Sequence, residues 1–410
     1  MTAAGVAVIG GGAAGYFAAI TAAETHPPGP VTLFEATAHP LAKVRVSGGG
    51  RCNVTHACFD AKTLTGFYPR GGRELLGAFH RWQPRDTVDW FAARGVELKT
   101  EEDGRMFPVS DSSATIVDCL TRSARAAGVE VRLQTPVRSA NFSAGHFELQ
   151  LGAGDSCSSA RLILATGGGR SSAGFEIARQ FGHTIEPLIP SLFTFHIDDP
   201  RLKGLEGLAV SGAQAAVAGT SLATSGAALV THWGLSGPAI LKLSAWAARE
   251  LFARDYRFTL QLSWIGAARP DQVRAALAAG RISHARQRLT SWNPWGLPSR
   301  LWERIVATAG AAPELTWASA SKAVVERLAL ETAEAQFSVT GKSTNKEEFV
   351  TCGGVRLAEV DFRRLESKLR PGLHFAGEVL DIDGVTGGFN FQAAWTTGRL
   401  AGQAAASTTL

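Results

Sequence analysis

Apolar residues near the start of the chain form two short runs that flank a glycine-rich turn. Val6–Ile9 is an apolar run of the β type, Gly10, Gly12 and Gly15 follow with the spacing G-x-G-x-x-G, and the next residues favour a helix. A second short apolar run, VTLFEA, ends at Glu35. The order of strand, glycine turn, helix, strand and acid predicts a βαβ unit that binds a dinucleotide.

Each residue of this motif has a physical task in such a site. Gly10 allows a sharp turn, Gly12 allows the backbone to approach a pyrophosphate, and Gly15 lets the helix pack on the strand. The carboxylate of Glu35 is placed to accept hydrogen bonds from ribose hydroxyls, and its charge would repel a 2′-phosphate. We therefore predict FAD or NAD rather than NADP, and this motif leaves the two open. The predicted contacts also include Gly11, Ala13, Ala14 and Ala36.

The same alternation of apolar runs and glycine returns twice, far along the chain. The apolar run Leu162–Ala165 ends at Thr166, Gly167 and Gly168. A later run, Leu373–Ala376, is followed by Gly377 and Glu378, and then by Gly387 and Gly388 at the start of a predicted helix. A simple NAD dehydrogenase would instead continue with regular strands and helices and end in a substrate domain.

Together, the three elements resemble the FAD domain of glutathione-reductase-like flavoproteins. The resemblance implies that the Thr166 strand crosses near the nucleotide and that Gly377 and Glu378 bind the ribityl chain. It also implies that the last helix, which begins near Phe389 and Asn390, points its positive end at the flavin pyrimidine. Because reduced flavin is negative at N1 and O2, this helix should raise its reduction potential. Val137 lies where this fold often pairs backbone groups with adenine.

The segment Ser47–Cys58, SGGGRCNVTHAC, follows the ribose acid and in the same fold runs under the pyrophosphate and along the isoalloxazine. Ser47, Gly48 and Gly49 would bring the backbone close to the cofactor. Lys43 and Arg51 can offset phosphate charge. Asn53 can bond to a flavin edge or to substrate.

Cys52 and Cys58 raise the alternative of a redox dithiol. Five residues separate them, whereas disulfide-reductase flavoproteins have four, and no His-Glu pair stands near the C-terminus. We therefore expect Cys52 to pack behind the flavin and Cys58 to have no role. No metal site is predicted, because His56 alone supplies too few ligands.

Stretches such as KVRVSGGGRCNVT, EEDGRMFPVSDSSATIVDCL, THWGLSGPAIL and ESKLRPGLHFAGEVLDIDGVTGGFNFQAAW span nearly the full length. They are similar to a family of FAD-dependent flavoproteins that includes aminoacetone oxidase and a bile-acid-ring reductase. The chain departs from that family at His56, Trp233, Cys352 and Phe389, and Phe389 lacks the hydroxyl of the tyrosine more often found there.

The resemblance implies an α/β, glutathione-reductase-like Rossmann domain that is built from both chain ends. We place its first segment at 1–190 and its C-terminal segment at 341–410. Residues 191–340 would form an insert that is β-rich and then helical. Tryptophan and arginine alternate within 281–304. Such a stretch can bind single-stranded nucleic acid, but we expect an amphipathic helix pair with core tryptophans.

The composition adds few constraints. A net charge of +5 suits an anionic cofactor and is no nucleic-acid signature by itself. The five cysteines are an odd number and do not form a set of paired disulfides, which favours a reducing compartment. No basic residue precedes the first apolar run, whereas a secretory signal would have one there. Glycines interrupt that run, so a membrane span is not expected. We predict a cytoplasmic protein, and the oligomeric state is not predicted.

These patterns predict an FAD-dependent oxidoreductase that exchanges hydride between flavin N5 and a small organic substrate. His232, Arg51 and Asn53, with residues near Thr351, would orient or protonate that substrate. No second strand-GxGxxG-helix unit is present, so NAD(P)H would dock transiently, or oxygen would accept the electrons. The alternative is an FAD-containing RNA-binding, tRNA-modifying or regulatory protein that uses the basic insert.

Overall fold

The computed structural model describes residues 5–152, 154–169, 173–343 and 350–407. The chain divides into two compact units. The first unit comprises residues 1–190 and 346–410, and the second comprises residues 191–345. The first unit is therefore formed by both ends of the chain.

The opening segment of the first unit alternates short strands with helices. Its strands are β1 (Val6–Ile9), β2 (Val31–Phe34), β3 (Thr55–His56), β4 (Leu98–Thr100), β5 (Arg105–Pro108), β6 (Glu130–Arg132), β7 (Val137–Ser143), β8 (His146–Leu151), β9 (Ser156–Ser159), β10 (Arg161–Leu164) and β11 (Ile185–Ser191). Its helices are α1 (Ala13–Glu24), α2 (Ala42–Gly50), α3 (Ala61–Thr65), α4 (Gly72–Phe79), α5 (Pro84–Ala92), α6 (Ser113–Ala126) and α7 (Ala173–Gln180).

The second unit follows, and the chain then returns to the first. The second unit contains β12 (Thr194–His196), β13 (Ala209–Val217), β14 (Ala223–Thr231), β15 (Gly234–Ser236), α8 (Pro238–Trp246), α9 (Ala248–Ala253), β16 (Phe258–Ser263), α10 (Pro270–Ser283), α11 (Ser299–Thr308), α12 (Lys322–Ala333), β17 (Ala335–Val339) and β18 (Gly341–Ser343). The returning segment contains β19 (Val350–Val355), β20 (Val360–Asp361), β21 (Glu366–Ser367), β22 (Leu373–Phe375) and α13 (Phe389–Ala406).

The main sheet of the first unit has the order β20-β21-β22-β10-β1-β2-β6. The five strands from β22 to β6 are parallel. All residues of β1 and β22 are buried, as expected for parallel strands covered on both faces. Because β22 comes from the returning segment and lies beside β10, the sheet needs both chain ends. The predicted fold class is confirmed.

Helices α1 and α13 pack at unusually short range in the first unit. A Cβ atom on Gly398 would lie 2.7 Å from the Ala14 carbonyl oxygen, and one on Gly402 would lie 2.4 Å from that of Ala18. Glycine at these two positions therefore lets the two backbones touch. This contact fixes the start of α13 relative to the start of α1.

The second unit is built on an antiparallel sheet with the order β17-β16-β13-β14-β15-β12-β18. Its helices follow mostly in the second half, as predicted. Trp302 is fully buried and donates from Nε1 to the Leu289 carbonyl at 2.7 Å, while Trp292 and Trp295 pack against the same core. The tryptophans of 281–304 are thus core residues rather than exposed stacking surfaces.

The described residues bear on two predictions, those of a membrane span and of a metal site. Of the helices in those ranges, none combines the length and apolar character that crossing a bilayer requires. Within the same residues, no group of three or more His, Cys, Asp or Glu side chains could hold a metal ion.

Candidate functional site

The turn between β1 and α1 leaves an open helix start. Gly10 has φ +112°, and a Cβ there would lie 2.4 Å from the Ala165 carbonyl oxygen of the crossing strand. A Cβ on Gly15 would lie 1.8 Å from the Gly10 oxygen, so no side chain fits. Gly12 caps α1 without a side-chain bond, and a Cβ on it would meet nothing within 4 Å. The first N–H groups of α1 therefore face space that an anion can enter.

The Glu35 carboxylate lies beside this turn. Its Oε2 accepts from the Gly11 N–H at 2.7 Å, and its Oε1 accepts from the backbone and side chain of Thr37, both at 2.8 Å. The Thr135 N–H donates to the Glu35 carbonyl at 2.9 Å, which brings the segment entering β7 and Val137 alongside. Ala13 and Ala14 begin α1, and Ala36 is exposed after Glu35.

The glycine-rich segment after β2 is only partly the loop that the sequence predicted. Residues 42–46 are helical, because Leu41 and Val44 share one buried face. Ser47 then turns extended, and Gly48 and Gly49 take φ of +58° and +68°. A Cβ on Gly49 would meet nothing within 4 Å. The backbone at this kink is thus open for close approach.

Arg51 forms ion pairs with two neighbouring carboxylates. Its Nη1 lies 2.6 Å from Glu101 and 3.5 Å from Asp111, and its guanidinium lies over the Phe107 ring at 4.0 Å. The hydrogen bond that Arg51 donates to the Glu101 carboxylate raises the pKa of Arg51. The sequence analysis missed Glu101, because no local pattern links two residues 50 positions apart. Arg51 therefore supports the glycine segment while its charge is largely balanced.

Cys52 is unsuited to thiolate chemistry. The side chain is fully buried, and burial raises the pKa of its thiol to about 12, against an opposing hydrogen bond from Ser47. Burial also raises the pKa of the Cys58 thiol. Both groups stay protonated near neutral pH, so the geometry gives no support to a reactive dithiol.

Asn53 links the glycine segment to the start of α13. With its amide oriented to satisfy both groups, the oxygen accepts from the Gly388 N–H at 3.0 Å and the nitrogen donates to the Thr55 carbonyl at 3.1 Å. Gly387 and Gly388 have φ of +131° and +92°, and no side chain caps α13. The structure therefore brings Asn53 next to an open helix start.

The side chains of Phe389 and Asn390 contact other residues of the protein. Phe389 is buried and stacks on Phe67 at 4.3 Å between ring centroids. The Asn390 amide both accepts from and donates to the Gly384 backbone, at 2.8 and 2.9 Å. The hydroxyl of Tyr68, which the sequence analysis did not single out, donates to the Phe389 carbonyl at 2.7 Å. The predicted cofactor contacts of these two residues therefore depend on their backbone N–H groups.

A polar network joins the two late glycine-rich elements. Lys43 Nζ lies 2.6 Å from Glu378 Oε2, and Glu378 Oε1 accepts from the Thr351 N–H at 2.9 Å. The Thr351 hydroxyl donates to the Gly168 carbonyl at 2.7 Å. Thr166 and Gly167 directly precede Gly168 in the chain. Outside this network, the Gly377 N–H donates to the Thr397 hydroxyl. Four predicted residues from four distant stretches, Lys43, Gly168, Thr351 and Glu378, thus meet in the first unit.

His232 belongs to the second unit, whereas Arg51 and Asn53 belong to the first. It is exposed after β14 and lines a cavity of about 280 Å³ together with Thr231 and Trp233. The predicted catalytic set is therefore divided between the two units.

The first-unit geometry fits FAD. Two open helix starts, the Glu35 carboxylate beside the first of them, and glycine backbone with room at positions 12, 49 and 167 suit a long dinucleotide with a flat ring. Gly12 to Gly15 would hold the diphosphate, Glu35 the adenosine ribose, and Asn53 with the start of α13 the ring.

Comparisons with known proteins agree with this geometry. The family model of the HI0933-like protein Rossmann domain matches residues 4–404. A 3-dehydro-bile acid delta(4,6)-reductase from Clostridium scindens is 30% identical over 98% of this chain and 98% of its own. A ribosomal RNA dihydrouridine synthase from Escherichia coli is 31% identical over 95% of each chain.

Among solved structures, 3-ketosteroid-delta4-(5alpha)-dehydrogenase from Rhodococcus jostii RHA1 is similar in fold. It is 16% identical, with a TM-score of 0.50, over 98% of this chain and 96% of that chain. The family match over nearly the whole length leads to one conclusion. The chain belongs to the HI0933-like Rossmann family.

Proposed function

We propose that this protein is a reductase that saturates a carbon–carbon double bond conjugated to a carbonyl group. The observation that carries the proposal is chemical. Two relatives of about equal identity are named for reactions at different molecules, a 3-oxo bile acid with Δ4,6 unsaturation and a uracil ring. Both rings hold a double bond conjugated to a carbonyl, so reduction of such a bond is the reaction that the two relatives share and that we propose for this chain.

FAD, when bound, supplies the hydride that such a reduction needs. The protein supplies the charged and polar groups around the bound cofactor. The open start of α13, where Asn53 accepts from the Gly388 N–H, carries partial positive charge, which would stabilise the negative charge of a reduced ring bound there. Arg51, balanced by Glu101, supports the kinked backbone at Gly48 and Gly49.

We infer that NAD(P)H is the electron source. Because the sequence has no second dinucleotide motif, NAD(P)H would dock only transiently. The balance is one double bond, one NAD(P)H and one proton consumed, and one saturated bond and one NAD(P)⁺ formed. Oxidation of a small substrate with oxygen as acceptor is the competing small-molecule function.

An anaerobic half-reaction tests the proposal. The holoenzyme is reduced, and the flavin band at about 450 nm is followed while it is mixed with a 3-oxo-4-ene steroid or with uridine-containing RNA. We expect one of the two to restore the band and to yield a product heavier by two hydrogen atoms. Restoration by dioxygen alone, with both compounds unchanged, would overturn the proposal.

A further inference from the structure

The cavity beside His232 is formed entirely by residues of the second unit. Its volume is about 280 Å³, just under the range of about 300–1,000 Å³ that is usual for small-molecule sites. A space of this size suits a ligand of one ring better than a four-ring steroid.

An exposed indole stands at the rim of this cavity. Trp233 is 66% exposed, although tryptophan side chains are mostly buried. Its ring lies nearly parallel to that of His196, with centroids 5.9 Å apart and planes at 25°. His196 also lines the cavity, and its Nε2 is buried without a hydrogen-bond partner among the described residues. The exposed indole of Trp233, next to the Nε2 of His196 that lacks a partner in the described part of the chain, suits a planar, polar ligand.

One wall of the cavity is held in place by arginines. Arg304 Nη1 donates to the Pro200 carbonyl at 2.5 Å, and Arg300 donates to the Gly204 carbonyl. The loop that these bonds hold carries Glu206, whose side chain accepts from the Gly204 N–H at 3.1 Å. A wall fixed before binding lowers the entropy lost when a ligand is ordered.

The charges at the cavity select the hydrogen-bonding edge of the ligand. Asp198 is paired with Lys203 at 2.9 Å, and Asp199 is paired with Arg201 at 2.8 Å. Glu206 makes no comparable ion pair among the described residues, and it lines the same cavity as His232, with which it interacts electrostatically. A carboxylate acceptor beside an imidazole donor matches a ring edge that carries an N–H next to a carbonyl.

We propose that this cavity binds a uracil ring, with Trp233 stacking on its face, Glu206 accepting its N3–H, and His232 donating to a carbonyl. The inference rests on the proposed function, because uracil is one of the two substrate rings considered there. It selects uracil over the steroid ring, which has no N–H. Here Trp233, Glu206 and His232 are substrate-binding residues.

The test measures binding in the oxidised holoenzyme without any reductant, so a failed reduction assay does not affect it. Protein labelled with 5-fluorotryptophan is titrated with uridine, and Trp233→Leu identifies the Trp233 signal in the ¹⁹F NMR spectrum. We expect that signal to shift saturably. N3-methyluridine should bind about tenfold more weakly or worse, because it lacks the N–H, and dihydrouridine should bind more weakly because its ring is not flat.

Two variants and two controls complete the experiment. Glu206→Ala and His232→Phe should each weaken uridine about tenfold, whereas Asp198→Ala, at a paired carboxylate of the same cavity, should stay within about twofold. Trp246→Leu removes another exposed tryptophan of the second unit and should leave binding unchanged. Unshifted remaining signals show that each variant is folded. An unmoved Trp233 signal, equal binding of N3-methyluridine, or binding of a 3-oxo-4-ene steroid in place of uridine would overturn the inference.

Discussion

The carboxylate of Glu35 is already held in one orientation by hydrogen bonds from the protein. Its two oxygens already accept from Gly11 and Thr37, which fixes the carboxylate beside the open start of α1. Lone pairs remain on both oxygens, because each carboxylate oxygen can accept more than one hydrogen bond. The same residue therefore shapes the glycine turn and stays available to ribose hydroxyls.

Replacing Glu35 by glutamine should weaken FAD binding about tenfold to hundredfold. Glutamine keeps one acceptor oxygen but loses the charge that strengthens hydrogen bonds from hydroxyl groups. The dissociation constant is measured by quenching of flavin fluorescence when apoprotein is titrated into FAD. Glu130→Gln, an exposed carboxylate on β6 paired with Arg132, serves as the control and should change it by less than about twofold. Equal losses in both variants would remove Glu35 from the site.

A buried histidine on β22 should make the protein sensitive to acid. His374 is fully buried, and burial lowers its pKa from 6.5 to about 4. Between these values the unfolded chain binds a proton that the folded chain does not. The free energy of unfolding should therefore fall as pH drops from 6.5 towards 4, by an amount on the order of 3 kcal/mol.

Urea unfolding of the holoenzyme at a series of pH values measures this slope. His374→Phe should flatten it, even if the variant is less stable overall because the bond to the Arg364 carbonyl is lost. An unchanged slope in the variant would assign the acid sensitivity to other groups.

At the scale of elements, the uncapped start of α13 is the feature with the clearest chemical consequence. Eighteen residues of helix point their N–H groups at a position bordered by Asn53 and the glycine segment. The helix should stabilise negative charge on a reduced flavin and so raise its reduction potential.

Asn53→Asp tests this directly. The new carboxylate still accepts from Gly388 but adds negative charge at the helix start, so the flavin potential should fall by about 30 to 60 mV. The potential is measured by equilibration with reference dyes under anaerobic conditions. Asn141→Asp, exposed on β7, adds the same charge elsewhere and should leave the potential unchanged. If both variants behaved alike, α13 would not face the ring.

At the scale of the whole molecule, FAD should join segments that are distant in sequence. Hydrogen exchange followed by mass spectrometry compares the apoprotein with the holoenzyme. Residues 10–15, 47–53, 166–169 and 377–390 should all gain protection together when FAD is added, whereas β13, β14 and β16 should change little. Protection limited to the first of these segments would mean that the others do not share one cofactor.

Much of this arrangement could be predicted from sequence because glycine turns mark where strands end. β1, β2, β10 and β22 were each recognised as an apolar run next to glycine or an acid. The helical start of α2 was missed, because its only signal is the spacing of Leu41 and Val44. The pairing of Arg51 with Glu101 and the stacking of Phe389 on Phe67 depend on tertiary contacts, which leave no local pattern.

The position of β22 inside the main sheet, between β21 and β10, has a consequence for biosynthesis. A ribosome that has translated the first 350 residues has released β1, β2 and β10 but neither β22 nor α13. The emerging polypeptide therefore exposes one edge of a buried parallel sheet and an unpaired α1 until the final segment is released. Such intermediates attract chaperones and aggregate readily. Changes in β22 or α13 should therefore impair FAD binding more than changes within the second unit.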